Sequence, residues 1–404
     1  MSIFYVIFIV LAAYFSFKYD RIEEYDSHKQ HRLWLMCFYL VCLSGFSYGL
    51  GADKFTYLEE FDEYPDHFSD LDDIVYVCFM TRGQMPLWTI LNMVCKVVFD
   101  SFYAVQFFEA VIINVAVCYV ASKYTHRYFL FLIIYFLSLQ FFVFNTEVMR
   151  EGFAIGLSLF GIHGWLTGKK WLFFGILPLA LGFHVSAAIL LVFPFVRVYH
   201  SWLTLIIASV FTFGFWLLSD TLMKAVINIA FGGQGAMTEK VMFYSIQAST
   251  FFGYLRSYLT YLFFPYIVLY MSIQSATDAN EKSRLEKIAS FMLLLAIIAS
   301  SIVGLRRFYN YVQIFQMALF VEFLYTMLCH ERHLIVRFGT SVGTLAIMLW
   351  FYFAHYESTN TYHYQFFYPY TCILDEDADV YYRKIAHQEA VTPEVKDNNV
   401  RNIK

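Results

Sequence analysis

The chain is read as an all-α polytopic membrane protein of about twelve transmembrane helices. Three observations carry that reading. Of its 404 residues 59% are hydrophobic and only 15% charged, where a soluble domain carries roughly a quarter charged residues. The apolar residues gather in runs of roughly 16 to 22, too long and too continuous for the alternating strands of a barrel. Basic residues recur in every second connection, as they do when helices cross a bilayer back and forth.

In chain order the spans fall near residues 2–17, 33–50, 103–122, 128–144, 151–167, 171–183, 185–197, 201–219, 252–273, 288–304, 308–329 and 335–354. The first run, SIFYVIFIVLAAYFSF, has no basic segment before it and no small-residue cleavage site, so it reads as a retained span. The pieces 171–183 and 185–197 are each short for a crossing; they are either two spans or two half-helices broken at Gly182 and His184. The segment 84–99 is also apolar, but Thr89, Asn92 and Lys96 recur on one helical face. It is read as an amphipathic helix in the outer interface.

Orientation follows from the basic residues. With the N-terminus outside, the inner connections hold Lys18, Arg21, Lys29 and Arg32, then Lys123 and Arg127, Lys169 and Lys170, Arg197, Lys282, Arg284 and Lys287, and finally Arg332 and Arg337. The outer surface then carries two long loops, 51–102 and 220–250. The first is acidic through Glu59, Glu60, Asp62, Glu63, Asp66, Asp70, Asp72 and Asp73, and the second contains the flexible FGGQG. Residues 1–371 form one transmembrane domain, and 372–404 a polar tail that reads as disordered.

Four charged or titratable stations open on the outer side: Asp53 in GLGADKFTYLEEF, Arg150 in NTEVMREGFAIG, His184 in LALGFHVSAAIL, and Arg306 with Arg307 in VGLRRFYNYVQ. An ionisable group near hydrocarbon loses its hydration, so each needs a wet cavity, a partner or a charged ligand. Arginine presents a permanent, planar fork that matches phosphate oxygens. Arg150 opens a helix whose Gly152 and Gly156 form GxxxG, a pattern that lets another helix approach closely. Its plainer role is a salt bridge to Glu147 or Glu151. Arg306 and Arg307 precede Tyr309, Asn310, Tyr311, Gln313 and Gln316, a face too polar for contact with lipid. His184 could take a proton from an alcohol near neutral pH, or serve as a hydrogen-bonded packing residue. Asp53 could act as base, hold a sugar hydroxyl, or simply begin the acidic loop; Tyr57 lies one helical turn on.

Other chemistries find no support in the residues. The seven cysteines form no CxxC pair and have no histidine at ligand spacing, which argues against a zinc site or a disulfide framework. There is no Walker loop, GxGxxG, HExxH or GxSxG, and DED at 375–377 lies in the acidic tail. A net charge of −4 with scattered basic residues makes no nucleic-acid surface. No cofactor and no metal are expected. The aromatic content, 21% of the chain, suits helix packing and could also wall a cavity for sugar rings.

Taken together, the turn GLGADKFTYLEEF, the helix start MREGFAIGLSLF, the histidine of LPLALGFHVSAAIL, the late RRFYNYV and the closing FYPY of 367–370 resemble the EpsG family of Wzy-like bacterial polysaccharide polymerases. The doubled Arg306 and Arg307 and the acidic tail depart from the usual pattern. The resemblance implies a GT-C-like helical bundle in the bacterial inner membrane, acting at its periplasmic or outer face. It implies as partner an undecaprenyl-pyrophosphate-linked oligosaccharide, polymerised into O-antigen, capsule or exopolysaccharide, with a chain-length regulator as a further candidate partner. On that basis Arg150 and one or both of Arg306 and Arg307 would bind pyrophosphate. His184, in preference to Asp53, would be the base, and Tyr57 and Tyr311 would meet the sugar. The rival readings are a flippase for the same lipid-linked oligosaccharide and a non-processive membrane glycosyltransferase.

Overall fold

The computed structural model describes residues 3–51, 53–64, 85–138, 140–219, 221, 250–276, 278–329, 339, 343, 367, 370–374 and 380. Among these every regular element is helical, and a single extended bridge pairs Ser47 with Cys372. Their contacts divide the chain into two compact units. The first is Met1–Gly161, Phe174–Val185 and Leu324–Lys404, the second Ile162–Phe173 and Ser186–Phe323. The single domain 1–371 expected from sequence thus packs as two clusters, a division that hydropathy, which is blind to tertiary contact, does not record.

The first unit is built from α1 (Ile3–Tyr19), α2 (Ser27–Gly45), α3 (Asp53–Asp62), α4 (Pro86–Phe99), α5 (Phe102–Tyr124) and α6 (Tyr128–Leu137). It continues with α7 (Gln140–Phe142), a π turn (Val143–Glu147), and most of α8 (Met149–Leu166) and α9 (Lys170–Phe183). α1 shows why hydrocarbon must surround it: Tyr5, Phe8, Ala12, Phe15 and Tyr19 point inward at helical spacing, while Ile3, Phe4, Val10, Tyr14 and Phe17 stand exposed. A helix apolar on both faces needs protein on one side and lipid on the other. α5 has the complement, with Gln106, Glu109 and Asn114 fully buried. α2 packs along α5 and α1 along α6.

The basic connections meet at one end of this unit. Asp20 accepts from the Phe129 and Leu130 amides at 3.3 and 2.8 Å and so caps α6. Arg127 donates to the Asp20 carbonyl and, at 2.5 Å, to Glu23, and lies 3.8 Å from the Tyr325 ring centroid. Lys29 ties Ile22 to His126 through their carbonyls, at 2.7 and 2.5 Å. At the other end, Tyr48 donates its amide to Thr371 at 2.8 Å, and Tyr5 its hydroxyl to Phe367 at 3.0 Å. Gly51, at φ +90°, lies so close to the π turn that a Cβ would stand 2.6 Å from the Thr146 carbonyl oxygen. The GxxxG expectation holds: a Cβ at Gly156 would meet Ile112 and Ile113 of α5 at 2.9 to 3.2 Å.

The second unit contains α10 (Trp202–Leu217), α11 (Phe251–Ser257), a π turn (Tyr258–Phe263), α12 (Phe264–Ser275), α13 (Ala279–Ser301), a 3-10 segment (Val303–Tyr309) and most of α14 (Asn310–Cys329). α13 is its axis and packs against α10, α12, the π turn and the 3-10 segment. Small hydroxyls bridge the close approaches: Ser301 donates to the Thr212 carbonyl at 3.1 Å, and Ser290 accepts from the Val198 amide at 3.0 Å.

The protein is therefore a helical membrane protein, but helix length alone does not yield about twelve spans. Among the described residues two helices are long and apolar enough to cross, Phe102–Tyr124 and Leu305–Cys329, or three if a bent pair counts as one. The shortfall has physical sources: Ile3–Tyr19, Lys170–Phe183 and Trp202–Leu217 are apolar but short, and other expected spans are interrupted. The 128–144 run bends by 77° between Tyr128–Leu137 and Gln140–Glu147. The piece expected as a half-helix from 185 is a 3-10 segment, Val185–Val192, and 252–273 carries the π turn. The 335–354 span, most of the 220–250 loop, the acidic residues from 66 to 73, and all of the tail but 372–374 and 380 lie outside the described residues. α4 forms as expected, yet its polar face is turned inward: Thr89 and Asn92 are each 1% exposed, while Ile90, Val94, Val98 and Phe99 face out. The last turn of α3 and the residues after it explain this. The carbonyls of Phe61, Asp62 and Tyr64 need a donor, and Lys96 supplies it at 2.6 to 3.2 Å.

The Asp20 cap gives a pH prediction. Burial pushes its carboxyl up to about 6, against the amide hydrogen bonds and the charge of Lys29. A folded value above the unfolded one means the native state holds the extra proton. This contribution is then fully present below pH ~4 and is lost as pH rises through 6, by about 3 kcal/mol in all. Melting of the detergent-solubilised protein should show a stability gain from pH 7.5 to 5 that Asp20→Asn largely removes.

Candidate functional site

In the first unit the site begins at the glycine turn. Gly51 brings the chain against the π turn, and Asp53 then opens α3 with its carboxylate at the helix N-terminus, where negative charge is favoured. Asp53 is exposed, and the next turn buries Lys54 and Tyr57 at 3% and 6% exposure. Arg150 stands in the first turn of α8, its guanidinium 5.2 Å from the Tyr57 ring centroid. It also donates to the Tyr57 hydroxyl, and Glu60 and Tyr64 lie within its field. Burial raises the Tyr57 phenol well above its usual value, more than Arg150 lowers it. The ring therefore stays neutral and holds the cation without cancelling its charge.

An aromatic path leads away from this contact. Tyr57 meets Trp88 edge-on at 5.5 Å, Trp88 meets Phe153 at 6.2 Å, and Phe153 stacks on Phe183 at 4.6 Å. His184 follows Phe183 directly, half-buried at the junction where α9 gives way to the 3-10 segment, its amide 3.0 Å from the Ala180 carbonyl. Gly182 lets this junction approach α4, since a Cβ there would stand 2.6 Å from Leu87. Asp53, Tyr57, Arg150 and His184 thus belong to one unit, and Tyr57 and Arg150 are in direct contact.

The second unit carries the late arginines. Arg306 lies in the 3-10 segment, donates to the Ser257 hydroxyl at 2.5 Å, and keeps a buried Nε with no hydrogen-bond partner. The charged and polar groups facing it are Tyr261 and a second guanidinium, Arg256. Tyr261 meets Tyr309 edge-on at 5.1 Å, and the buried Tyr309 hydroxyl is likewise unpartnered. The interaction between the two guanidinium groups is repulsive. Arg307 follows in the same segment. Tyr311 is fully buried, and its hydroxyl lies 2.8 Å from Ser186 Oγ.

Apart from Asp53, which opens α3, the stations coincide with breaks in α-helical geometry. Arg150 follows the first π turn, Arg256 precedes the second and Tyr261 lies within it, Arg306 and Arg307 sit in a 3-10 segment, and His184 marks an α to 3-10 junction. Such irregular turns free backbone groups and recur at functional sites in helical proteins. Arg256 and the buried Lys54 and Glu109 escape a reading of the sequence. Arg256 stands 50 positions before Arg306, and nothing in its neighbourhood FFGYLRSYLT marks it. Among the described residues no group of three or more His, Cys, Asp or Glu is placed to hold a metal.

The sequence model of the EpsG family matches residues 31–372. Comparison with curated proteins and with solved structures gives no match.

The Tyr57 contact makes a stability prediction. Tyr57→Phe keeps the ring but strands a buried arginine N–H, and should cost about 1–3 kcal/mol. Tyr57→Leu should cost a further ~0.5–2 kcal/mol by removing the ring as well. Thermal melts of the two variants beside wild type check the order; equal melts would show that the ring and hydroxyl do not hold Arg150.

Proposed function

Because the chain belongs to the EpsG family, which is related to the Wzy-like polysaccharide polymerases, we propose that it joins lipid-linked oligosaccharide repeat units into a surface polysaccharide. The substrates are undecaprenyl-pyrophosphate-linked, and the work is done at the outer face of the bacterial inner membrane. The chain crosses that membrane about twelve times, with several crossings broken rather than continuous.

The observation that carries this reading is the Arg150–Tyr57 contact. It fixes a permanent cation through a neutral phenol, with Glu60 in its field, and supports an anion-binding role. In the reaction the acceptor hydroxyl gives its proton to a base and its oxygen bonds to the donor's anomeric carbon. The bond from that carbon to the pyrophosphate breaks, and the electron pair leaves on the phosphate oxygen. Fixed guanidinium groups stabilise that developing charge, so the step requires no metal. Donor and acceptor each carry a pyrophosphate, and the chain offers two arginine stations, Arg150 in one unit and Arg306 with Arg256 in the other. His184 serves as the base, with Asp53 as the alternative: both belong to the unit that holds Arg150, and a half-buried imidazole is suited to proton transfer near neutral pH. Tyr57 and Tyr311 are buried in their own units, so the sugar contact expected of them is not part of this reading.

The test is polymerisation of a synthetic undecaprenyl-pyrophosphate-linked repeat unit by the purified protein in EDTA, resolved as a ladder on a gel. Wild type should give the ladder. Arg150→Lys, Arg306→Lys and His184→Ala should each lose about 10²-fold or more in rate, because a point charge does not reproduce a bidentate fork and a missing base leaves the proton in place. A single added unit would instead indicate a non-processive transferase, and no product from folded wild type would indicate a flippase.

A further inference from the structure

Two hydrogen-bond donors in the second unit are buried without an acceptor, and they stand three residues apart. Among the described residues neither Arg306 Nε nor the Tyr309 hydroxyl has a hydrogen-bond partner, and Tyr309 is only 1% exposed. Both belong to the 3-10 segment Val303–Tyr309, whose three-residue turn stacks side chains i and i+3 on one face. Tyr261 of the second π turn is the neighbour they share. Its ring meets that of Tyr309 edge-on at 5.1 Å, and its phenol lies in the field of Arg306.

The guanidinium is anchored on its other side. Its Nη2 donates to Ser257 Oγ at 2.5 Å, and Ser257 Oγ donates in turn to the Gly253 carbonyl at 2.8 Å. Ser257 is 4% exposed, and its own carbonyl accepts from Ser300 of α13 at 3.4 Å, so the anchor is tied to the axis of the unit. A fork fixed at Nη2 cannot swing its Nε to another acceptor without giving up that bond. The charge acting on it is a second guanidinium, Arg256, which acts on Tyr261 as well. A buried donor left unpaired is costly, most of all on a charged group. Two such donors in a positive field are answered best by an oxygen that itself carries negative charge; a water would satisfy the donors but leave the field as it is.

We propose that Arg306 Nε and the Tyr309 hydroxyl together bind one phosphate of a lipid-linked pyrophosphate, with Ser257 as the positioning residue that holds the guanidinium for it. The inference rests on the polymerase reading for the identity of the lipid and adds Tyr309 and Ser257 to the arginine station. Binding itself is measured without turnover.

The experiment takes the detergent-solubilised full chain and adds inorganic pyrophosphate, a short-chain isoprenyl pyrophosphate or phosphatidylglycerol. Thermal melting is read beside hydrogen exchange of residues 303–309. Without ligand, Tyr309→Phe should melt at or above wild type, because it removes a hydroxyl that has no acceptor. With either pyrophosphate, exchange at 303–309 should slow in wild type, and Tyr309→Phe should need about tenfold more ligand for the same slowing. Arg306→Gln should show none. Ser257→Ala should weaken the response as Tyr309→Phe does, and Ser257→Thr, which keeps the hydroxyl, should restore it. A hydroxyl that only packs or holds water would leave Tyr309→Phe less stable without ligand or equal to wild type in its response, and either result overturns the proposal. A response to phosphatidylglycerol alone would overturn it too, giving the site to bilayer headgroups. Should the pyrophosphate response appear in a wild-type protein that makes no polymer, the site would stand and the polymerase reading alone would fail.

Discussion

Hydrocarbon offers no hydrogen bond, and that constraint arranges this molecule from the inside out. Polar side chains that a soluble protein would leave in water are here drawn into the packing, and each must find its partner within the chain. The side-chain nitrogen of Asn114 shows the rule at work: it donates to Ser44, Ala110 and Asn145 at 3.2, 2.8 and 2.7 Å, tying α2 and the π turn to α5. Lys96, turned inward to three carbonyls around the end of α3, shows it reversing the face of a whole helix. Among the described residues the rule is broken at both oxygens of Glu109 and at Nε of Arg306, and also away from the stations, at Asn114 Oδ1 and His200 Nδ1.

The same constraint explains why those stations lie at π turns and 3-10 segments. A regular α-helix consumes its own backbone groups and presents side chains at fixed angles. A wider or tighter turn releases a carbonyl and swings the next residue off the helical stripe. Arg150 emerges directly after such a turn and is received by Tyr57, whose ring belongs to a core of Phe61, Trp88, Cys95, Phe102, Val105, Met149 and Phe153. The cation is held by a rigid aromatic body, with Glu60 in its field.

Much of this was legible in the chain, for reasons that differ from residue to residue. Continuous apolar runs locate α1, α5, α8 and α10 because hydrocarbon accepts little else. The basic connections Lys18 to Arg32 and Lys123 to Arg127 do gather at one end of their unit, since Arg127 and Lys29 reach across to the other loop. Gly152 and Gly156 announce a close helix contact, and GLGADKFTY announces the turn that Gly51 makes. Periodicity, by contrast, assigns Thr89, Asn92 and Lys96 to one face without saying whether that face meets water or protein. Nor can it register a π turn, whose extra residue leaves composition unchanged, or the burial of Lys54 and Glu109, which exists only after folding.

Phe367 and residues 370–373 return to lie against both the beginning of α1 and the end of α2. Phe367 receives the Tyr5 hydroxyl and Thr371 the Tyr48 amide, and Ile373 donates to Phe46. The wall behind the turn that leads to Asp53 is thus made from residues 323 and 362 positions away from the ones they meet. A contact of such range is among the slow ones to form, so that edge stays open while the helices between are inserted and packed. The framework beside the arginine helix closes after the helix itself.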